Sequence, residues 1–208
     1  VLVTAGPTHE PIDPVRYIAN RSSGKQGYAI AAAAAQAGAR VTLISGPVEL
    51  PTPRGVTRID VQTAREMLAA VEDALPADAA VLVAAVADWR VERQAGQKLK
   101  KDGSGAPAPL PLTENPDILA TLAISAQRPR LLVGFAAETE HVIDHAKAKL
   151  ARKGCDLIVA NDVSGDVMGG SHNRVHLVSA GSVESWDETS KENVAARLVD
   201  YIANRLAN

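Results

Sequence analysis

The segment Ser22-Ser23-Gly24-Lys25-Gln26-Gly27 places two hydroxyls, two glycines and a cation directly before the Ala-rich stretch Tyr28 to Gln36. If that stretch is a helix, its first-turn N–H groups have no acceptor within the helix. They then converge with the hydroxyls on one point that favours an anion. The run is neither a Walker A sequence nor G-x-G-x-x-G, so it fits a plain serine cap with glycines easing helix-sheet contact equally well. A second candidate is Ala84-Ala85-Val86-Ala87-Asp88. Its small side chains would let a ligand lie against the backbone, and Asp88 would face a ligand or metal ion, or serve as a turn carboxylate.

Cations supply the third group of candidates. Lys98-Leu99-Lys100-Lys101 alternates about Leu99, so an extended segment sends Lys98 and Lys100 to one face, as a phosphate clamp or as a solvated surface. Lys149 and Lys153 are four residues apart and share a helix face, which suits a polyphosphate or the support of a helix C-terminus. Asn115-Pro116-Asp117 and Asn161-Asp162 have ordinary cap and turn readings. Cys155 follows Gly154 with no His near it in sequence and reads as a packed small residue. Anion-binding groups thus recur where strands end, and a phosphate-rich ligand is their economical common cause.

The elements that must position these residues alternate in type. Short apolar runs at Val1 to Thr4, Val41 to Ser45, Val56 to Val61, Ala80 to Ala85, Leu131 to Phe135 and Leu157 to Ala160 read as buried strands. Between them lie helical patterns: Tyr28 to Gln36, a helix opened by the capping box Thr63 to Glu66, one from Pro116, and one from about Glu140 to Lys153. Val175 to Ser179 and Val183 to Trp186 flank a short link that suits an antiparallel hairpin. A last helix starts near Thr189 to Glu192 and carries Val194, Leu198, Ile202 and Leu206 on one stripe. The expected fold is α/β, a Rossmann-like doubly wound, mostly parallel sheet with helices on both faces and a C-terminal antiparallel hairpin. Two segments, Ala5 to Ser23 and Ala87 to Thr113, are long for loops and read as binding loops or a flap, the latter over about residues 87–113.

Composition bounds the rest. With 22 Lys+Arg against 24 Asp+Glu the net charge is −2, which excludes a general polyanion binder. Aromatics make up 3% of the chain, too few for stacking platforms, so no nucleic acid is expected. A single cysteine forms no internal disulfide, no Cys/His group has zinc spacing, and no apolar run is long enough for a membrane span. A cytoplasmic protein is expected, with residues 1–208 as one domain.

The motifs taken together and in order resemble those of the phosphopantothenate-cysteine ligases. They are Val3 to Thr8, Glu10 to Ile18, Asn20, Ser22 to Lys25, Ala84 to Asp88, Lys98 to Lys101, Asn115 to Ile118, Gly134 to Thr139 and Ala160 to Val163. The resemblance implies a ligase that couples 4'-phosphopantothenate to cysteine with CTP through an acyl-cytidylate, giving CMP and pyrophosphate. By resemblance, Asn20 binds the acyl part and stabilises the acyl-cytidylate, while Gly6, Ser22, Gly24 and Gly27 line the nucleotide phosphates. Ala84, Ala85 and Asp88 lie along nucleotide and acyl intermediate, with Asp88 near the Mg²⁺ that accompanies CTP. Lys98 on the flap neutralises charge at the α-phosphate, and Asn115, Pro116, Asp117, Ile118, Phe135, Lys149 and Lys153 complete the nucleotide pocket. Arg16 is a weaker candidate for phosphate or dimer contacts.

The family is dimeric, and an apolar sheet edge near the C-terminal hairpin is one place for that contact. Its bacterial members are commonly fused to an upstream flavin-dependent decarboxylase domain, so no flavin is expected in this chain. His9 stands where some relatives carry Arg. Two other classes stay open on the residues alone: a nicotinamide-dependent oxidoreductase, although no G-x-G-x-x-G follows Val3, and a nucleotide-binding module without catalysis.

Overall fold

The computed structural model describes residues 1–100, 109–162 and 172–207. Lys101, the Asp102-Gly103-Ser104-Gly105 stretch and Val163 lie outside them. The elements run β1 (Leu2–Ala5), β2 (His9–Pro11), β3 (Tyr17–Ala19), α1 (Lys25–Gln36), β4 (Val41–Ser45), β5 (Val56–Asp60), α2 (Ala64–Asp73) and β6 (Ala79–Leu82). They continue with β7 (Trp89–Val91), β8 (Leu112–Glu114), α3 (Ile118–Ala123), β9 (Leu131–Glu138), α4 (Val142–Lys153), β10 (Leu157–Asp162), β11 (His172–Val178), β12 (Val183–Ser190) and α5 (Lys191–Ala207). Among the described residues, no helix is long and apolar enough to cross a membrane.

One eight-stranded sheet has the order β12-β11-β10-β9-β6-β1-β4-β5. Pairs from β5 through β10 are parallel, and β11 and β12 add an antiparallel hairpin at one edge. From β1 the chain winds outward to β4 and β5, then returns to the other side of β1 for β6, β9 and β10. This is a doubly wound α/β fold, and the reversal opens a crevice at the carboxyl ends of β1 and β6.

Alternating side chains sort onto the two faces of the sheet. Val3, Ala5, Leu43, Val81, Val133 and Val159 pack under α1 and α5, whereas Leu2, Ile44, Ala80, Leu132 and Ile158 pack under α2, α3 and α4. The Ala-rich α1 lies very close to β1, since a Cβ at Gly27 would stand 2.6 Å from Ala5 Cβ and 3.1 Å from the Thr4 carbonyl oxygen. The start of α1 is thereby held at the mouth of the crevice.

Local signals act as the sequence indicates at several ends. Thr63 and Glu66 close the capping box of α2, and Gly154, in the left-handed region at φ 65°, ends α4. Helix α5 is entered differently, with Ser190 Oγ accepting from Asn193 N at 3.1 Å. Val194, Leu198 and Ile202 are buried along its stripe.

Three expectations are corrected. The strand expected over Ala80 to Ala85 ends at Leu82, because Ala84 N donates to Thr4 Oγ1 at 3.2 Å and Ala85 N to the Gly6 carbonyl at 2.9 Å, outside the β6–β9 ladder. The two long segments are not plain loops: β2 pairs with β3 and β7 with β8, each antiparallel. Ser22 and Ser23 do not cap α1; Gly24 is its N-cap at φ 72°, with no side-chain bond.

Replacing Gly27 by Ala should push α1 off β1. We expect a loss of about 1–3 kcal/mol of stability, the range for overpacking, measured by urea unfolding. Unchanged stability would show that α1 has slack at this contact.

Candidate active site

A cavity of about 880 Å³ opens at the crevice. Gly6, Asn20, Ser22, Gly24, Gly27, Ala84, Ala85, Asp88, Asn115, Pro116, Asp117, Ile118, Phe135, Lys149 and Lys153 all line it. Residues from well-separated parts of the sequence therefore meet in one place. Lys98 and Arg16 are not in its wall; both are exposed.

The floor is the 84–88 loop, whose backbone is held by side chains at Ala84, Val86 and Ala87 and by backbone partners at Ala85 and Asp88. Thr4 Oγ1 accepts from Ala84 N, Thr8 Oγ1 accepts from Ala87 N at 3.0 Å, Asn20 Nδ2 donates to the Val86 carbonyl at 2.9 Å, and Asn115 Nδ2 donates to the Ala87 carbonyl at 2.8 Å. Asn115 N also donates to the Asp88 carbonyl at 2.8 Å. Two asparagines thus hold a loop of small residues open, with no large side chain over it. One wall is the start of α1, where first-turn N–H groups and the positive helix end face the cavity. Gly24 N donates to Ser22 Oγ at 3.3 Å, and Gly6 and Gly24 both have positive φ and are close together. A Cβ on Gly6 would meet the Gly46 carbonyl at 3.0 Å, so the tight turn after β1 requires glycine.

The opposite wall carries the paired cations of α4. Lys149 Nζ donates to the Phe135 carbonyl at 2.7 Å, and burial followed by repulsion from Lys153 pulls its pKa below the ordinary lysine value. Lys153 pairs with the Asp117 carboxylate, whose other oxygen accepts from Ala120 N at 3.1 Å and caps α3. Burial acts to raise Asp117, but the Lys153 bond and the Ala120 amide outweigh it and hold the carboxyl below its ordinary value.

Asp88 is exposed at the rim, and among the described residues no hydrogen bond engages its carboxylate. Among the described residues no group of three His, Cys, Asp or Glu could hold a metal ion. A single free carboxylate beside an anion site fits Mg²⁺, which keeps several waters and shares its coordination with substrate phosphates.

Arg16 is engaged by Asp13, whose buried carboxylate also accepts from the Leu99 amide beside Lys98. Sequence reasoning missed Thr4, Thr8, Gln26, Asn173 and Lys191 as cavity or floor residues. Gln26 Nε2 donates to the Lys191 carbonyl at 3.2 Å and its Oε1 accepts from Asn173 Nδ2 at 2.8 Å. Thr4, Thr8 and Gln26 lie inside motifs that the sequence displays, Val3 to Thr8 and Ser22 to Gly27, the signal that could have found them, whereas Asn173 and Lys191 stand in neither. Cys155 is buried, and burial pushes its thiol up, as suits a packed residue.

Fold and site together define a doubly wound α/β domain with a cavity at its switch point, lined by a helix N-terminus and by Lys149 and Lys153. Residues 1–206 match the family described as DNA/pantothenate metabolism flavoprotein C-terminal domain, and the chain belongs to that family. It is 46% identical over 209 residues to the Coenzyme A biosynthesis bifunctional protein CoaBC of Vibrio cholerae, covering 99% of this chain and 52% of that protein. It is 47% identical over 220 residues to CoaBC of Mycobacterium bovis, covering 100% and 52%. The chain thus spans about half the length of the curated relatives it matches. Its fold is similar to the crystal structure of the C-terminal domain of CoaBC, with a TM-score of 0.83, 38% identity, and 99% and 94% of the two chains covered. It also matches in fold a Cab2 mutant in complex with phosphopantothenate-cysteine, with a TM-score of 0.78, 18% identity, and 99% and 87% covered.

The Asp117–Lys153 pair has a pH signature. Because the folded carboxyl is depressed, its contribution is complete above the unfolded value near ~3.9 and is lost as pH falls through the folded value. The melting temperature of the wild type should therefore fall more steeply below about pH 4 than that of Asp117→Asn. Parallel curves would show that the pair contributes nothing.

Proposed function

We propose that the chain is a phosphopantothenate-cysteine ligase that uses CTP, acting at the switch-point cavity. The observation that supports this reading is the meeting of Asn20, the 84–88 loop, Asn115 to Ile118 and the Lys149/Lys153 pair around one anion-favouring space. The 4'-phosphopantothenate carboxylate attacks the α-phosphorus of CTP; a P–O bond forms and the bond to the β-phosphate breaks, releasing pyrophosphate. The cysteine amine then attacks the acyl carbon, a C–N bond replaces the C–O bond, the amine loses a proton, and CMP leaves.

The residues mainly orient the reactants and neutralise charge. The α1 N-terminus, Ser22, Lys149 and Lys153 hold the triphosphate, while Asn115 to Ile118 and Phe135 hold the rest of the nucleotide. Asn20, already tied by one N–H to the Val86 carbonyl, presents its remaining amide atoms to the reacting carboxylate and then to the acyl-cytidylate. Ala84 and Ala85 leave room for the acyl intermediate over the floor. Asp88 would hold Mg²⁺, which supplies charge neutralisation on the phosphates when bound. Lys98 is exposed beside a backbone anchor, and its long side chain swings in to meet charge developing at the α-phosphate.

A second copy of the chain would cover Val15, Tyr17, Trp89, Leu99 and Leu112, which are apolar yet 42–59% exposed on and beside the two small sheets. The alternative edge, near the C-terminal hairpin, is formed by β12, which is mostly exposed and carries the carboxylates Glu184, Asp187 and Glu188. In the full protein, the other half of the length of the CoaBC relatives would carry the decarboxylase domain.

Purified chain with 4'-phosphopantothenate, CTP and Mg²⁺ should release pyrophosphate, more with CTP than ATP, and Asn20→Ala and Lys98→Ala should each lower turnover by about 10²-fold or more. No release with either nucleotide, or full activity of both variants, would contradict the reading. Light scattering should show a dimer that Tyr17→Asp with Leu112→Asp converts to monomer; a monomeric wild type would refute the dimer.

A further inference from the structure

We propose that Asp13 is a positioning residue for Lys98, a latch that fastens the flap to the hairpin leading to Asn20. The inference rests on the ligase reading, which places Lys98 at the reacting phosphate. Asp13 sits in the turn between β2 and β3, its side chain fully shielded from solvent. One carboxylate oxygen accepts from the Val15 and Arg16 amides at 2.8 and 2.9 Å. The other accepts from Arg16 Nε at 3.0 Å, from an Arg16 terminal nitrogen at 2.5 Å, and from the Leu99 amide at 3.1 Å. The same Arg16 nitrogen donates onward to the Leu99 carbonyl at 3.1 Å.

Leu99 is therefore held at both its N–H and its C=O, while Ala95 N donates to the Ile12 carbonyl at 2.9 Å a few residues earlier. Among the described contacts, the 95–99 segment is tied to the 12–16 turn. The Arg16 guanidinium, opposed by desolvation and aided by the Val15, Leu99 and Arg16 amides, keeps Asp13 far below the ordinary carboxylate range. The latch stays charged at neutral pH.

The chemistry of the latch specifies aspartate. Its five donors need two acceptor oxygens, and asparagine offers one oxygen and an NH₂ that would face an N–H. Lys98 is bonded directly to the held residue, so the latch fixes its backbone and leaves only the side chain to move. The turn also continues through β3 into Asn20, so one carboxylate relates the two groups that act on the carboxylate and the α-phosphate. Misplacement of a catalytic group by about 1 Å costs on the order of 100-fold.

The test compares Asp13→Asn with the wild type in hydrogen exchange and in phosphopantothenate-dependent pyrophosphate release, alone and combined with Lys98→Ala. Asp13→Asn should speed exchange in the peptide spanning Gln97 to Leu99, leave exchange in β1 and β6 unchanged, and lower kcat by about 10- to 100-fold with little change in the KM for CTP. Added to Lys98→Ala it should lower kcat no further. An active wild type whose Asp13→Asn variant matches it in exchange and turnover overturns the latch alone. So does an equal further loss in the Lys98→Ala background, which would mark a general structural role. A wild type that releases no pyrophosphate overturns the ligase reading, and the positioning role falls with it.

Discussion

Strands that stop at the carboxyl edge of a parallel sheet must hand their backbone hydrogen bonds to something other than a neighbouring strand. Around the 84–88 loop that handover is made in large part by side chains, since Thr4 and Thr8 accept from its amides and Asn20 and Asn115 donate to its carbonyls, while backbone groups of Gly6, Thr8 and Asn115 satisfy Ala85 and Asp88. Each group is at once structural support and cavity surface or its immediate backing. An unsatisfied buried backbone group costs roughly 1–3 kcal/mol, which applies in full to the buried Thr8 bond to Ala87, while the part-buried Thr4 and Asn115 bonds and the exposed Asn20 bond add smaller support to the loop. The cavity exists because the loop does not collapse into it.

Electrostatics then divides the space. The α1 N-terminus on one side and Lys149 and Lys153 on the other both favour anions, and among the acidic residues of the wall Asp117 is tied to Lys153 and caps α3. Lys149 is partly desolvated and leans on a carbonyl rather than a carboxylate, so an incoming phosphate meets a cation with charge to spare. A chain of net charge −2 is thus locally positive where strands end. The β2–β3 hairpin is joined to the 95–99 segment through Asp13 and to α2 through the buried Glu10 carboxylate, which accepts from Ala64 N at 2.8 Å.

The parallel sheet was legible because its strands are unbroken apolar runs separated by helix signals with caps, as at Thr63 and Glu66. The helix start that brings Ser22 to Gly27 to the cavity was legible for the same reason, although its cap is Gly24 and not a serine. The small sheets were not: Trp89 to Val91 and Leu112 to Glu114 are three residues each, paired across more than twenty residues, and neither alternates long enough to show a period. The premature end of β6 was hidden as well, since Ala80 to Ala85 is uniformly apolar and its backbone is diverted by the Thr4 hydroxyl and the Gly6 carbonyl, both distant in sequence. Local pattern carries the elements; which side chain rescues which carbonyl is decided by contacts distant in sequence. Resemblance placed fifteen of the proposed site residues in one cavity wall, and left Lys98 and Arg16 beside it, where only the Asp13 contacts explain their position.

The account's central claim is that this cavity joins a carboxylate to the α-phosphorus of a bound nucleotide. Transfer of ¹⁸O tests it most directly: 4'-phosphopantothenate labelled in its carboxylate is turned over with CTP and cysteine, and the products are weighed by mass spectrometry. The account predicts one labelled oxygen in CMP and none in pyrophosphate. Label in inorganic phosphate with CDP as the nucleotide product, or unlabelled CMP, would contradict it.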